Sequence, residues 1–328
     1  MNREEARKRA EALVGQMTLE EKASQLRYDA PAIPRLGIPA YNWWNEGLHG
    51  VARAGQATMF PQAIGMAATF DTELAGAMAD TVAVEGRAKY NAYSATIAKA
   101  IESVLKQQVA LELIIINDCS GEGLDQVMES YADNPVIFYV KNEKNMGAAQ
   151  SRNRGVAMAR GTYVAFLDAD DWWEENKLVK QIRLIEETQT VLCCTARELM
   201  TPDGKLTGRV IPVKETITYR QLLHHNSINC SSVLIRREVI QQYPMEHEDS
   251  HEDYILWLRI LRKYQRACGL NEPLLKYRLS SSGKSGNKLK SAGMTYRAYR
   301  YSGFGRIRSS WYFCCYAVHG VWKYLRAR

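Results

Sequence analysis

With 328 residues, 46% of them hydrophobic, the chain is long enough for one large or two modest domains around a sizeable core, and should be globular. Seven cysteines, with the adjacent pairs Cys193–Cys194 and Cys314–Cys315 but no CxxC, fit neither a disulfide framework nor a zinc site; they read as small buried hydrophobes in a reducing compartment. The formal charge of +7 is uneven: after Glu272 no acid follows while Lys and Arg continue, which suits phosphate on a nucleotide, a lipid headgroup or nucleic acid, or equally a plain solvated surface.

The opening MNREEARKRAEALVGQ is too charged for a signal peptide or a first membrane anchor, so a cytoplasmic start is expected. It reads as a helix from Arg3 to about Gln16, and Thr18 with Glu21 has capping-box spacing for a second, short helix. A stretch broken by prolines follows, around an aromatic cluster, and Asp71 then caps an alanine-rich helix that runs to about Tyr90. From Ser94 the pattern changes. Ile97, Ile101, Val104 and Leu105 form one helix face, and LELIII (111–116) is a continuous apolar run of the kind buried on both sides of a sheet. A helix near 123–132, a strand at 136–140, a helix across 147–160 and a strand at 162–167 complete an alternation that predicts an α/β fold with a mainly parallel sheet flanked by helices.

In such sheets ligands bind beyond the carboxyl ends of the strands. Asp118 stands just beyond the first apolar strand, and Asp168, Asp170 and Asp171 stand just beyond the last, in FLDADDWW. Two carboxylates one residue apart can share a hard divalent cation and leave positions open for phosphate oxygens. They can equally cap the helix expected to follow, across EENKLVKQIRLIEE.

Taken together, IIINDCSGEG, NEKNMGAAQSRNRGVAMARG, TYVAFLDADDWW and HEDYILWLRILRK resemble family 2 glycosyltransferases of the GT-A fold, from about residue 90 to the C-terminus. The resemblance implies a nucleotide-sugar donor, a UDP-sugar by preference, with a saccharide or lipid-linked acceptor, no nucleic acid, a Mg²⁺ or Mn²⁺ ion and a role in polysaccharide biosynthesis. By position, Asp118 would contact the base, Asp168 the ribose side, and Asp170 with Asp168 the metal, while Arg152 and Asn91 would meet the donor. Arg278 and Lys284, in and before a serine-rich loop, would meet phosphate. Asp253 would be the general base of an inverting transfer; without the resemblance, Glu252 and Asp253 read as first-turn acids favoured by a helix dipole. His247, Glu248 and His251 suggest zinc only weakly, since HExxH is absent. The final WYFCCYAVHGVWKYL is short of a bilayer span and suits either a membrane interface or a helix packed on the domain.

The first ninety residues are similar instead to the start of glycoside hydrolase family 3, through NWWNEGLHG and ATMFPQAIGMAATFD. That resemblance would make Glu46 and His49 sugar contacts. Hydrolysis is not expected, because the fragment cannot supply the eight strands of a (β/α)₈ barrel or a second carboxylate. Family 2 transferases begin with an apolar strand ending in Pro-x-Tyr-Asn, lying between the strands that here are LELIII and TYVAFL. The chain therefore reads as a join at Tyr90–Asn91 that has lost this strand: a fragment over 1–90, a transferase domain over 91–270, and a basic segment over 271–328 carrying the active-site loop and an amphipathic helix.

Overall fold

The computed structural model describes residues 3–26, 29–38, 41–42, 57–60, 70–119, 123–279 and 288–325. The chain divides into two compact units, Met1–Tyr93 with Gly121–Gln126, and Ser94–Ser120 with Val127–Arg328.

In the first unit, α1 (Arg3–Gln16) is solvated almost all round, and α2 (Leu19–Ser24) starts with the expected capping box. The Glu21 N–H donates to Thr18 Oγ1 at 3.2 Å and the Thr18 N–H donates to the Glu21 carboxylate at 2.8 Å. β1 (Asp29–Ala30) and β2 (Tyr41–Asn42) pair antiparallel. Glu46 and His49 lie outside the described residues.

Asp71 caps α3 (Thr72–Leu105), its Oδ1 accepting from the Leu74 N–H at 2.8 Å. This helix runs unbroken for 34 residues, straight through Tyr90 and Asn91. Alanine-rich text and the absence of proline let each peptide bond find its partner one turn away. The segment TVAV (81–84) is part of this helix, with the Thr81 hydroxyl donating back to the Ala77 carbonyl at 2.9 Å. Asn91 therefore stands mid-helix rather than in a turn after a strand, and its side chain lies outside the described residues.

In the second unit the last turns of α3 bury Ile97, Ala100, Ile101 and Val104. Ser103 Oγ accepts from the Trp173 N–H at 3.1 Å, and Gln107 beyond the helix end donates to the Glu174 carbonyl and accepts from the Leu178 N–H. β3 (Leu113–Asn117) pairs parallel with β4 (Ile137–Lys141) as a separate two-stranded sheet. The larger sheet contains β5 (Tyr163–Ala165), β6 (Trp172–Trp173), β7 (Leu192–Met200), β8 (Leu206–Ile211), β9 (Thr216–Thr218), β10 (Leu234–Arg236) and β11 (Arg266–Arg278). Its order is β5-β10-β7-β11-β6, with β8 on β7 and β9 on β11. Pairing is mixed, not mainly parallel as the alternation suggested: among the described residues only β3–β4 and β7–β11 are parallel. Hairpin-like returns through β8, β9 and β10 bring antiparallel neighbours that strand–helix alternation does not reveal.

The remaining helices are α4 (Gly123–Glu129), which is split between the two units, and, in the second unit, α5 (Ala148–Met158), α6 (Lys177–Thr188), α7 (Tyr219–His224), α8 (Arg237–Ile240), α9 (Glu252–Tyr264), α10 (Lys288–Tyr301) and α11 (Arg306–Leu325). α9 is the central one. Tyr254, Ile255, Trp257, Leu258 and Leu261 are all within 1% of full burial, in one cluster with Leu192, Ile217, Leu222 and Ile235; burying a side chain of this size contributes about 1.5–3 kcal/mol. Among the cysteines, Cys193, Cys194, Cys230 and Cys268 are buried as expected, but Cys119 and Cys314 are exposed. α11 packs on the domain through Tyr312, whose ring lies 5.2 Å from Phe304 and 5.7 Å from Tyr299. Among the described residues no helix is long and apolar enough to cross a membrane.

β3 pairs with β4 alone and β5 with β10 alone, so among the described residues no strand joins them. Leu113 to Ile116 are only half-buried, unlike a strand at the centre of a sheet. Supplying an apolar strand before Tyr90, with residues 1–80 removed, should pair both free edges. The expected outcome is a thermal midpoint at least about 3 °C higher and tighter nucleotide binding. No gain would show that the N-terminal segment itself stabilises the unit.

Lys177, fully buried at the start of α6, donates to Gln181 Oε1 at 2.8 Å and lies 4.0 Å over the Trp173 ring. Burial pushes its ammonium down to about 7. A lysine with a lowered folded pKa costs stability below its unfolded value near 10.4, because the unfolded chain binds the proton more tightly. Stability should therefore rise between pH 7 and 10, and urea titrations of Lys177→Met across that window should lack this rise.

Candidate active site

β3 and β5 each lead into an acid, and the first two turns of α5 engage both. Asp118 Oδ1 accepts from the Asn142 amide and the Met146 N–H, both at 2.7 Å, and Oδ2 accepts from the Gly147 N–H at 2.8 Å. Burial alone would push this carboxyl up; the Asn142 amide and the two backbone donors outweigh it and hold it below the usual range. Asp118 thus tethers the turn that starts α5. Gly147 is required there twice over: its φ is +84°, and a Cβ would stand 2.8 Å from Glu248 Cδ. Glu248 in turn closes the helix start, its Oε2 accepting from the Ala149 N–H at 2.7 Å. Two carboxylates therefore occupy the positive end of α5.

Arg152 lies one turn further on. Its Nη2 donates to Asp168 Oδ1 at 2.7 Å and its Nη1 to Glu252 Oε1 at 2.9 Å. The side chain is 18% exposed, so it is neither a free surface charge nor a cation projecting into solvent. Below it, the Asp168 N–H donates to Ser231 Oγ at 3.1 Å, and Trp173 Nε1 donates to the Ser231 carbonyl at 2.7 Å.

The capping reading of FLDADDWW fails. α6 starts only at Lys177, behind Asn176, and Trp172–Trp173 form a strand instead, because β11 pairs Leu275 with Trp173 and Lys276 with Trp172. Asp171 is 1% exposed; its Oδ1 accepts from the Arg278 N–H at 2.9 Å, while Oδ2 has no hydrogen-bond partner among the described residues. Burial, then the charge of Asp168, push Asp171 well above the usual carboxylate range. The same two causes raise Asp170, whose carboxylate receives no donor from another described residue. Surplus negative charge at a turn suits a hard cation. Among the described residues no three His, Cys, Asp or Glu converge as a ready-made cage, so Asp168 and Asp170 could hold such an ion only with its other positions open. Arg278 is pinned beside them, Nε donating to the Asp170 carbonyl at 3.1 Å and Nη1 to the Pro202 carbonyl at 2.9 Å. Lys284 lies outside the described residues.

On the far side of Arg152, Glu252 and Asp253 begin α9. Asp253 Oδ1 accepts from the Tyr254 N–H at 2.8 Å, and no described side chain donates to it. Burial, then the like charge of Glu252, raise its carboxyl, as suits a proton acceptor near neutral pH. The histidines beside it serve packing: His247 stacks on Tyr301 at 3.7 Å, and His251 Nε2 lies 3.3 Å from Ser291 Oγ. Asn142 and Ser231 went unnoticed in the sequence, and Glu248 was read there only as a weak zinc candidate, because each acts on a partner far along the chain, where no local period marks it.

Residues 89–243 match the family described as glycosyl transferase family 2. TuaG of Bacillus subtilis, a glycosyltransferase named for teichuronic acid biosynthesis, is 36% identical over 232 residues, 70% of this chain and 92% of TuaG. WfaP of Escherichia coli, a UDP-Glc:α-D-GlcNAc-diphosphoundecaprenol β-1,3-glucosyltransferase, is 34% identical over 196 residues, 60% of this chain and 76% of that protein. A protein of Aspergillus fumigatus named as an exo-1,4-β-xylosidase, bxlB, is 48% identical over 95 residues, 26% of this chain and 12% of its own length. Among solved structures, TarS of S. aureus with UDP-GlcNAc superposes with a TM-score of 0.53 at 18% identity over 66% of each chain. The mannosyltransferase PcManGT of Pyrobaculum calidifontis, with GDP-Man and Mn²⁺, gives 0.52 at 13% identity over 67% of this chain and 66% of that one. These likenesses establish a GT-A fold.

Arg152→Lys should keep the charge but not the two-pronged bridge. The expected loss is about 1–3 kcal/mol in urea unfolding, with the slope unchanged. An unaltered midpoint would mean that the bridge adds nothing to stability.

Proposed function

Because the chain belongs to glycosyl transferase family 2, we propose that it is an inverting glycosyltransferase, moving a sugar from a UDP-sugar to a saccharide or lipid-linked acceptor in polysaccharide biosynthesis. The observation that carries this reading is the Asp168–Arg152–Glu252 bridge. It sets the base-bearing helix one guanidinium away from the acids of the donor edge.

In this reading Asp118 contacts the base, Asp168 the ribose side and Arg152 the donor, with Arg278 toward the diphosphate; Asn91, expected as a donor contact, stands inside helix α3 and is not counted among them. Asp168 and Asp170 hold Mg²⁺ or Mn²⁺, which supplies charge neutralisation for the leaving diphosphate. Asp253 takes the proton from an acceptor hydroxyl; that oxygen forms a bond to the anomeric carbon as the bond to the diphosphate breaks, and a single displacement inverts the centre. The protein would work in the cytoplasm, peripherally at the inner face of the cell membrane. Residues 1–90 are read as a glycoside hydrolase family 3 fragment without hydrolytic activity, 91–270 as the transferase domain and 271–328 as its basic segment; the partial xylosidase likeness supports the first of these.

A second reading is favoured by the split between β3 and β5: a remnant that binds metal and nucleoside diphosphate but turns over slowly or not at all. Thermal-shift titration with UDP and Mn²⁺, beside a transfer assay, separates the two. Asp253→Asn should abolish transfer and leave the UDP shift intact, while Asp170→Ala should remove the Mn²⁺-dependent part of that shift. Turnover by Asp253→Asn near the parent rate would overturn the base assignment, and a UDP shift without any transfer by the parent would favour the remnant.

A further inference from the structure

α11 has two unlike faces. One packs inward: Ser309 is fully buried, Tyr312 and Phe313 sit against the core, and the Tyr316 ring lies 6.2 Å from that of Tyr254, the residue after Asp253. The opposite face carries Ile307, Trp311, Cys314 and Val318, at steps of four, three and four residues, which align on one stripe of a 3.6-residue helix. Ile307 is 88% exposed, Trp311 66% and Val318 66%, and Cys314 is also exposed. A helix resting on a soluble domain normally turns polar side chains outward, so an apolar outer stripe marks an interaction surface.

Charge identifies what covers it. Arg306 and Arg308, both exposed, flank the start of the stripe, and from Pro273 to Arg328 the chain has no acidic residue. A second copy seated on this stripe would bring like charges together without an acid to offset them. A surface that is apolar below and anionic above satisfies both features: the stripe enters the boundary between headgroups and acyl chains while the arginines meet phosphate.

We propose that the Ile307–Trp311–Cys314–Val318 face of α11 docks this protein on an anionic lipid surface. This rests on the reading of the second unit as a transferase with a membrane-borne acceptor, and deepens it. Since the inner face of the same helix packs beside Asp253, docking would hold the general base one helix diameter, roughly 10 Å, from the lipid boundary. Burial, then the charge of Asp253, raise the Tyr316 hydroxyl, which agrees with that proximity.

The test is co-sedimentation of the full-length protein with vesicles of equal parts phosphatidylglycerol and phosphatidylcholine, against vesicles of phosphatidylcholine alone. Binding to the anionic vesicles should be at least about tenfold stronger and should weaken with salt. Ile307→Ser, Trp311→Ser and Val318→Ser combined should cut it about tenfold or more, with Trp311→Ser alone giving a smaller loss in the same direction. The thermal shift with UDP and Mn²⁺ should be unchanged in both variants, showing that they fold and keep the donor edge. Parent-like vesicle binding by the triple variant, or equal binding of the parent to both vesicle types, would overturn the proposal. So would a dimer, seen by ultracentrifugation, that the triple variant dissolves while the parent ignores vesicles. Vesicle binding needs neither donor nor turnover, so its failure leaves the transferase reading standing, and a failed transfer assay leaves the docking result standing.

Discussion

Arg152 bridges the acidic turn and the central helix α9, which already share the core through Phe166 and Trp257. Asp168 follows a sheet strand and Glu252 opens a buried helix, and the guanidinium between them donates to both carboxylates. Removing one partner from such a cluster costs more than the pair contributes, because the remaining charge stays in a partly dry place. The planar fork also fixes direction, which a single ammonium would not. Core packing through Phe166 and Trp257 and the two-pronged bridge together fix how the acidic turn lies against the start of α9.

Around that bridge the acids sort themselves by what donates to them. Asp118 receives an amide and two backbone N–H groups and is held low. Asp170, Asp171 and Asp253 are raised by burial and like charge, with few donors or none to offset it. The first kind of carboxylate builds the frame. The second kind keeps an unmet demand for a proton or a cation, and that demand is what a catalytic site uses.

Helix α3 shows how local and non-local forces divide. At Tyr90–Asn91 the chain continues as helix, because a helix satisfies its hydrogen bonds within its own segment whereas a central strand needs two neighbours already in place. Alanine-rich text on the N-terminal side favours this further. Among the described residues β3 with β4 forms a sheet apart from the larger one, and β5 is an edge strand.

Neighbouring residues sufficed to read the helices and strands from Thr72 to Ala165, the caps at Thr18 and Asp71, and the position of Asp118 and of the FLDADDWW acids at strand ends, because each of these is a local pattern. The mainly parallel sheet expected from the alternation is mixed instead, and the choice between helix cap and open acidic turn at FLDADDWW stayed undecided in the sequence, since both depend on where β10 and β11 return. Partner choice was out of its reach altogether. Glu252 meets Arg152 from 100 positions away, Glu248 meets Ala149 from 99, and Asp118 meets Gly147 from 29. Only tertiary structure decides such contacts, because folding in three dimensions brings together charges whose spacing along the chain carries no period to read.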